Sequence, residues 1–329
     1  MTDILKNICS IPSAPGMEKG LLTYIENEYA KHLQYFLDGM GNLTVVKKCG
    51  KEDARKIQIC AKTDNDGFIV NFIEENGYLR VTKLGNPSIV SCAYTELVSD
   101  TGVHGFFVPE KGAEVKEGDT SKMYIDIGAL SRKEAENLVK LGDIFARIPS
   151  ACRLSGTRCA GSCAASRAPL AMLLKLLCDE KCNDADLYFT FTVQESTAMR
   201  GAKTATFDTE PDLCIYIDTC ESFDTVGANK RGEAVLSDGA VILSKTTDYC
   251  MPPKVRENVI KTALENNIRH KVCVYPDKTC SASVISACGK GNDCIEVCIP
   301  ARNIGGGAEI FDTSDAEELL KLISAVISQ

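Results

Sequence analysis

A chain of 329 residues exceeds one ordinary domain, so two domains, or one with a large insertion, are expected. Its composition, 44% hydrophobic and 25% charged, is that of a globular protein, and no apolar run approaches the roughly 20 residues that a membrane crossing needs. A net charge of −8 argues against a nucleic-acid partner, because phosphate binding needs a basic face and clusters such as Lys230-Arg231 are too short to provide one.

The first residues, Met1-Thr2-Asp3-Ile4-Leu5-Lys6, have polar side chains breaking any apolar core, unlike a secretory signal, which places the protein in the cytoplasm. There the 17 cysteines are expected to be reduced thiols that act mostly as small buried hydrophobes. The pairs Cys159/Cys163, Cys178/Cys182 and Cys294/Cys298 are separated by three residues rather than two, with no histidine nearby, which favours core packing over a structural metal.

In chain order, residues 4–36 read as helical around an interruption at 10–16, and the stretch 18–33 gathers Leu21, Leu22, Ile25 and Tyr29 on one face. The turn Asp38-Gly-Met-Gly-Asn42 leads into a strand at 43–47, followed by a strand at 56–61, a carboxylate-bearing loop and a strand at 68–73. Over 74–148 the texture changes to short alternating stretches (78–84, 105–108, 123–127) between Gly, Asn and Pro turns. That is the pattern of a small β-rich barrel or sandwich, interrupted by a helix at 135–140 behind the capping box Ser131-Arg-Lys-Glu134. After 149 the pattern becomes β/α, with helices at 168–178, 253–266 and 281–288 and strands at 187–193, 213–217, 271–275 and 294–300. A last helix opens on Ser314-Asp-Ala-Glu317 and buries Leu319, Leu320, Ile323 and Ile327. Near-continuous apolar strands alternating with amphipathic helices predict an α/β fold. The expected architecture is a twisted, mainly parallel sheet covered on both faces, formed by 1–73 and 149–329, with 74–148 inserted as the β-rich domain.

Open α/β sheets bind ligands beyond the carboxyl ends of their strands. Four such ends are polar: Lys62 and Asp64; Gln194-Glu195-Ser196; Asp218; and Arg302 with the run Gly305-Gly306-Gly307. Alone, Thr63-Asp-Asn-Asp-Gly67 is an ordinary turn sequence, and the glycine run reads equally as a flexible loop or an anion-binding nest. Four ends together point to a shared pocket.

The run Lys62-Thr-Asp64-Asn-Asp-Gly67-Phe68 resembles the first metal-binding motif of the deblocking and glutamyl aminopeptidases, where a strand ends in His-x-Asp with Glu and Gly-Phe following. Residues 13–18, Asp38 to Asn42, Lys122-Met-Tyr-Ile-Asp-Ile-Gly128, Val193-Gln-Glu195, Arg200-Gly201-Ala202 and Ile299-Pro300-x-Arg302 look like further landmarks of that family, in the right order. The resemblance implies a zinc-peptidase-like fold and two divalent metals held by two His and several carboxylates. It also implies a Glu acting as general base on the shared water, and assembly into dimers or tetrahedral particles through the inserted domain. Carried over by position, Asp64 matches the Asp of the first motif, Glu195 the general base and Asp218 a terminal metal ligand. The other ligand positions hold Lys62, Ala165 (before Ser166-Arg167), Ser196 and Gly305.

Two ligand carboxylates are thus lost and an ammonium gained, which opposes a two-metal centre. The leading expectation is an aminopeptidase-fold protein without cofactor or hydrolytic activity. It would bind a peptide or small molecule through Lys62, Ser196, Arg167, Arg302 and Gly305, and act as a homo-oligomer with neither nucleic acid nor membrane as partner. A second is an active aminopeptidase with a rearranged or single zinc or cobalt held by Asp64, Asp218 and Cys220 or Cys280. A third is a metal-free hydrolase in which Lys62 activates Ser196 or a thiol. No carboxylate pair is arranged for the glycoside hydrolysis that the cellulase label of some relatives implies.

Overall fold

The computed structural model describes residues 1–182, 184–228 and 234–329; Lys230-Arg231 lies outside them. Its main sheet runs in the order Gln34–Leu37, Leu43–Lys47, Ala185–Thr192, Arg55–Lys62, Leu213–Glu221, Cys294–Arg302, Glu309–Asp312, Arg158–Gly161, Cys152–Arg153, with Ala240–Thr246 joining Cys294–Arg302 to His270–Tyr275. Only the centre is parallel: Ala185–Thr192 on Arg55–Lys62, that strand on Leu213–Glu221, and Leu213–Glu221 on Cys294–Arg302, with Ala240–Thr246 parallel to His270–Tyr275. The flanking pairs are antiparallel, so the sheet is mixed rather than mainly parallel. For two of these pairs loop length is the reason. The links 38–42 and 303–308 are far shorter than a parallel crossover requires, and both return the chain as hairpins.

The central strands are buried along most of their length, and alternation along them assigns the faces. Ile57, Ile59, Ile215 and Ile217 lie in the main core, which the leucine-rich helix Ala164–Asp179 shares as it packs on the sheet and on the helix Thr313–Ile327. Gln58 on the other face donates to Thr209 of the helix Arg200–Thr209, which packs against Ser281–Ser286. Lys62, Tyr216 and Asp218 share that second face by period, so the carboxyl ends carry a polar set beneath two short helices.

Several elements depart from the sequence pattern. Residues 34–37 are an exposed edge strand, not helix, because the hairpin turn is locked by Asp38, whose Oδ1 accepts the N–H groups of Met40, Gly41 and Asn42. The strand Gly67–Ile73, assigned from sequence to the main domain, belongs to a closed barrel with Leu79–Leu84, Met123–Asp126, His104–Pro109, Thr95–Ser99 and Ile144–Arg147. Phe68 stacks on Phe107 in the barrel core at 4.3 Å between centroids. Ser131 caps its helix as expected, whereas Thr313–Ile327 is capped by Asp312, two residues before Ser314. All 17 cysteines carry thiols rather than disulfide bonds, and most of them are buried. Among the described residues no helix is long and apolar enough to cross a membrane.

Candidate active site

The register sets Lys62 opposite Thr192, so the loops that follow the two strands leave the sheet side by side. Asp64 ties them together: its Oδ1 accepts the backbone N–H of Glu195 at 2.9 Å and its Oδ2 that of Ser196 at 2.8 Å. The 194–199 loop is tight, with Gln194, Ala198 and Met199 at positive φ. It then turns onto the helix Arg200–Thr209 where only glycine fits, since a Cβ on Gly201 would stand 2.2 Å from the Val193 carbonyl oxygen and 2.5 Å from Asn42 Oδ1.

Glu195 is buried and held by three donors. Its Oε1 accepts from the Ala202 N–H at 2.5 Å, and its Oε2 accepts from Ser281 Oγ at 2.7 Å and from Tyr216 OH at 3.2 Å. Burial, reinforced by the Asp64 carboxylate, pushes its own carboxyl up to about 7, a value suited to proton transfer near neutrality. Glu296, level with Tyr216 in the ladder, is fully buried and raised in the same direction. One of its oxygens accepts from the Ala282 N–H, while Oε1 has no partner among the described residues.

The cation on Asp218 is not Lys62 but Lys278. Lys278 Nζ lies 2.8 Å from Asp218 Oδ2 and donates to the Thr219 carbonyl oxygen at 2.7 Å. Burial alone would lower the Lys278 ammonium, yet the Asp218 carboxylate holds it well above the ordinary lysine range. Asp218 is lowered against its own burial, by Lys278 first and Lys62 second. Lys62 is half-buried with no direct ion pair among the described residues. Burial works against its charge, and the fields of Asp218, Asp66 and Asp64, in that order, outweigh it and raise it. Asp66 closes the near side beneath Gly85, at φ +77, where a Cβ would stand 2.1 Å from Asp66 Oδ1 and 2.9 Å from Ser196 Cβ. The Ser196 hydroxyl is buried and has no hydrogen-bond partner among the described residues.

A second ion network lies under the glycine run. The buried Glu309 carboxylate accepts Ser166 N–H at 2.8 Å, Ser166 Oγ at 2.9 Å and Gly305 N–H at 3.0 Å. The buried Arg147 places Nη2 3.6 Å from that carboxylate and donates through Nη1 to the Gly306 carbonyl oxygen at 2.7 Å. The Gly306 N–H donates to the Asn303 carbonyl oxygen. Two of the three glycine N–H groups, those of Gly305 and Gly306, are thus engaged within the protein. Ala165 is buried in the helix Ala164–Asp179, and the same turn carries Arg167, whose Nη1 donates to the Thr63 carbonyl oxygen at 2.9 Å.

Four of the expected strand ends therefore converge, through Lys62, Asp64, Glu195, Ser196, Asp218 and Gly305. Arg302 does not join them: it forms a two-pronged pair with Asp224, with contacts of 2.8 and 2.5 Å. The cysteines weighed as metal ligands are engaged elsewhere, Cys220 against the Ile299 carbonyl oxygen and Cys280 against Thr246. Among the described residues no group of three or more His, Cys, Asp or Glu is placed to hold a metal ion. Sequence reasoning missed Lys278, Arg147 and Glu309. Lys278 was within reach, since it follows the strand His270–Tyr275 and so sits at another carboxyl end.

The chain matches the M42 glutamyl aminopeptidase family over residues 41–322. It is 31% identical to a protein of Acetivibrio thermocellus named for an inferred aminopeptidase activity, covering 99% of this chain and 98% of that one. It is 27% identical to the lysyl aminopeptidase of Pyrococcus furiosus, over 99% and 96%. An aminopeptidase structure from the archaeon Desulfurococcus kamchatkensis superposes with a TM-score of 0.92 at 25% identity, covering 99% of this chain and 94% of that one.

Proposed function

We propose that this chain, which belongs to the M42 glutamyl aminopeptidase family, is a peptide- or small-ligand-binding member of that fold in which protein ammonium groups have taken the place of the two-metal centre and ended hydrolysis. The observation that carries the reading is the Lys278–Asp218 pair at 2.8 Å, with Lys62 in the field of the same carboxylate. The surviving family ligand already has a fixed cation on it. A divalent ion would have to displace Lys278 and lie beside Lys62, where a double and a unit charge about 4 Å apart repel by about 8 kcal/mol at an effective dielectric near 20. Three further carboxylates are engaged as well: Asp64 by two backbone N–H groups, Glu309 by Ser166 and Gly305, and Glu195 by Ala202, Ser281 and Tyr216. This donor set does not fit two divalent ions, and no step through a metal-bound water follows from it. Lys62, Ser196 and Gly305 are the residues assigned to the ligand, supported from behind by Asp64 and Arg167.

The relatives' names favour a second reading, an active aminopeptidase with a rearranged or single zinc or cobalt. The third, Lys62 activating Ser196, lacks the hydrogen bond it needs, since the Ser196 hydroxyl has no partner among the described residues. Assembly of copies and a cytoplasmic setting belong to the same proposal. The TET1 peptidase of Pyrococcus horikoshii, similar in fold with a TM-score of 0.84 at 24% identity and 99% and 98% coverage, is described as assembling into a tetrahedron or a large octahedral shell. Elemental analysis of the purified chain, together with aminoacyl chromogenic substrates assayed with and without added metal, is the test. Fewer than one transition metal per chain and no metal-stimulated turnover are expected, and stoichiometric metal with chelator-sensitive turnover would return the chain to the active enzymes.

A further inference from the structure

A cavity of about 390 Å³ lies away from the Lys62 pocket, between the 38–42 turn, the helix Arg200–Thr209 and the 287–289 segment. Its wall is apolar, made by the Met40 thioether, the Phe207 ring, Ala287 and Cys288, and Phe207 is 63% exposed. Its rim carries two exposed charges of opposite sign, Lys203 and Asp208, and neither is in an ion pair among the described residues. The other lining carboxylate, Asp38, is fully engaged by the turn and by Asn42. We propose that this cavity is a second binding site, for a free α-amino acid with an apolar side chain. Such a molecule sets its carboxylate on Lys203 and its ammonium on Asp208 and lays its side chain against Met40, Phe207 and Cys288. An aliphatic acid leaves Asp208 unmatched and an aliphatic amine leaves Lys203 unmatched, so the zwitterion is the chemistry that answers both. The volume stands at the small end of the roughly 300–1,000 Å³ of ligand sites, which suits a single amino acid rather than a peptide.

The cavity walls reach Glu195. The helix Arg200–Thr209 supplies the Ala202 N–H to Oε1, and the helix Ser281–Ser286, whose end leads into 287–289, supplies Ser281 Oγ to Oε2. Asn42 fixes the third wall to the same place, donating to Thr204 Oγ1 and the Gly201 carbonyl oxygen and accepting from Val193 N–H. A ligand held between these elements restrains both side walls of the Glu195 carboxyl, and this holds whether or not the Lys62 pocket is catalytic.

The test is a titration of the full chain with L-phenylalanine, followed by amide NMR, with 3-phenylpropanoate and 2-phenylethylamine as single-charge analogues. Saturable shifts at residues 203–208 and 287–289 are expected, with each analogue roughly two- to fivefold weaker, as exposed charge pairs allow. Phe207→Ala, at an exposed position that the fold tolerates, weakens L-phenylalanine by about tenfold, and Ala287→Trp abolishes it by filling the cavity. Saturation slows hydrogen exchange at the Ala202 amide, and unchanged exchange there overturns the link to Glu195. Shifts that centre on Lys62 and Ser196 and survive both substitutions, analogues that bind as well as the zwitterion, or no saturation at all overturn the site itself.

Discussion

Lys278 is the side chain on which the electrostatics of the pocket turn. Lys278→Met leaves Asp218 without its ion pair and the buried Glu296 without its main neighbouring cation, so it should cost about 3 kcal/mol, the lower end for a buried pair because both partners keep some solvent contact. Urea denaturation measures it, and a loss under about 1 kcal/mol would place the pair with ordinary surface ion pairs. Glu195 gives a pH signature of unusual sign. Its carboxyl is raised from 4.5 to about 7 in the folded chain, so between those values the native state keeps a proton that the unfolded chain has released. The stabilisation is full below 4.5 and fades as the pH rises through 7, by about 3 kcal/mol in all. Glu195→Gln should flatten stability over that window in urea titrations at a series of pH values. Asp64 and Glu195 were legible in the sequence because each stands just past the end of an apolar strand; Asp218 was legible as the break in an apolar run, although the strand Leu213–Glu221 continues through it rather than stopping at 217. Arg147 and Glu309 were not, because one ends the barrel strand Ile144–Arg147, the other begins the hairpin strand Glu309–Asp312, and they meet only through tertiary packing across 162 positions.

At the level of elements, apolar runs located the central strands and the long helices to within a few residues, because those strands are buried on both faces, yet the equally apolar strand Ala240–Thr246 escaped. The hairpin edge at 34–37 escaped, since its exposed Tyr35 and Leu37 lie next to an amphipathic helix and continue its apolar texture. The helix Arg200–Thr209 escaped for the opposite reason: it is polar, and its position is set by backbone contact rather than by an apolar stripe. That contact yields a sharp test. Gly201→Ala drives a methyl against the Val193 carbonyl and Asn42, atoms anchored in the sheet and the 38–42 turn, so the helix must shift rather than a flexible side chain. A loss of about 1–3 kcal/mol is expected, accompanied by a changed environment for Glu195 through Ala202. Calorimetry with an unshifted melting temperature would mean that the close approach is not rigid.

On the scale of the whole molecule, the barrel and the mixed sheet are one mechanical unit because the pocket is built where they meet. Asn65 N–H bonds to the Ser13 carbonyl oxygen just before the chain enters the barrel, and Arg147 leaves its last strand to hold both Glu309 and the Gly306 carbonyl oxygen. Ser88 N–H, from the barrel side, donates to the Gly305 carbonyl oxygen. A barrel carried only as an insertion would unfold separately from its host. Here Phe107→Ala, which removes the ring stacked on Phe68, should cost about 3–5 kcal/mol and lower the denaturant midpoint of the sheet as well as of the barrel. Hydrogen exchange read by mass spectrometry separates the two, with peptides of the helix Ala164–Asp179 reporting the sheet and peptides of His104–Pro109 the barrel. Coincident loss of protection is the expected result. Arg147→Leu then uncouples the transitions by freeing the turn at 303–307, because a buried carboxylate that loses its cation no longer holds that turn against the barrel. If the two sets of peptides already open at different denaturant concentrations in the unmodified chain, the Arg147 clamp is too weak to join them, and the pocket is shaped by the sheet alone.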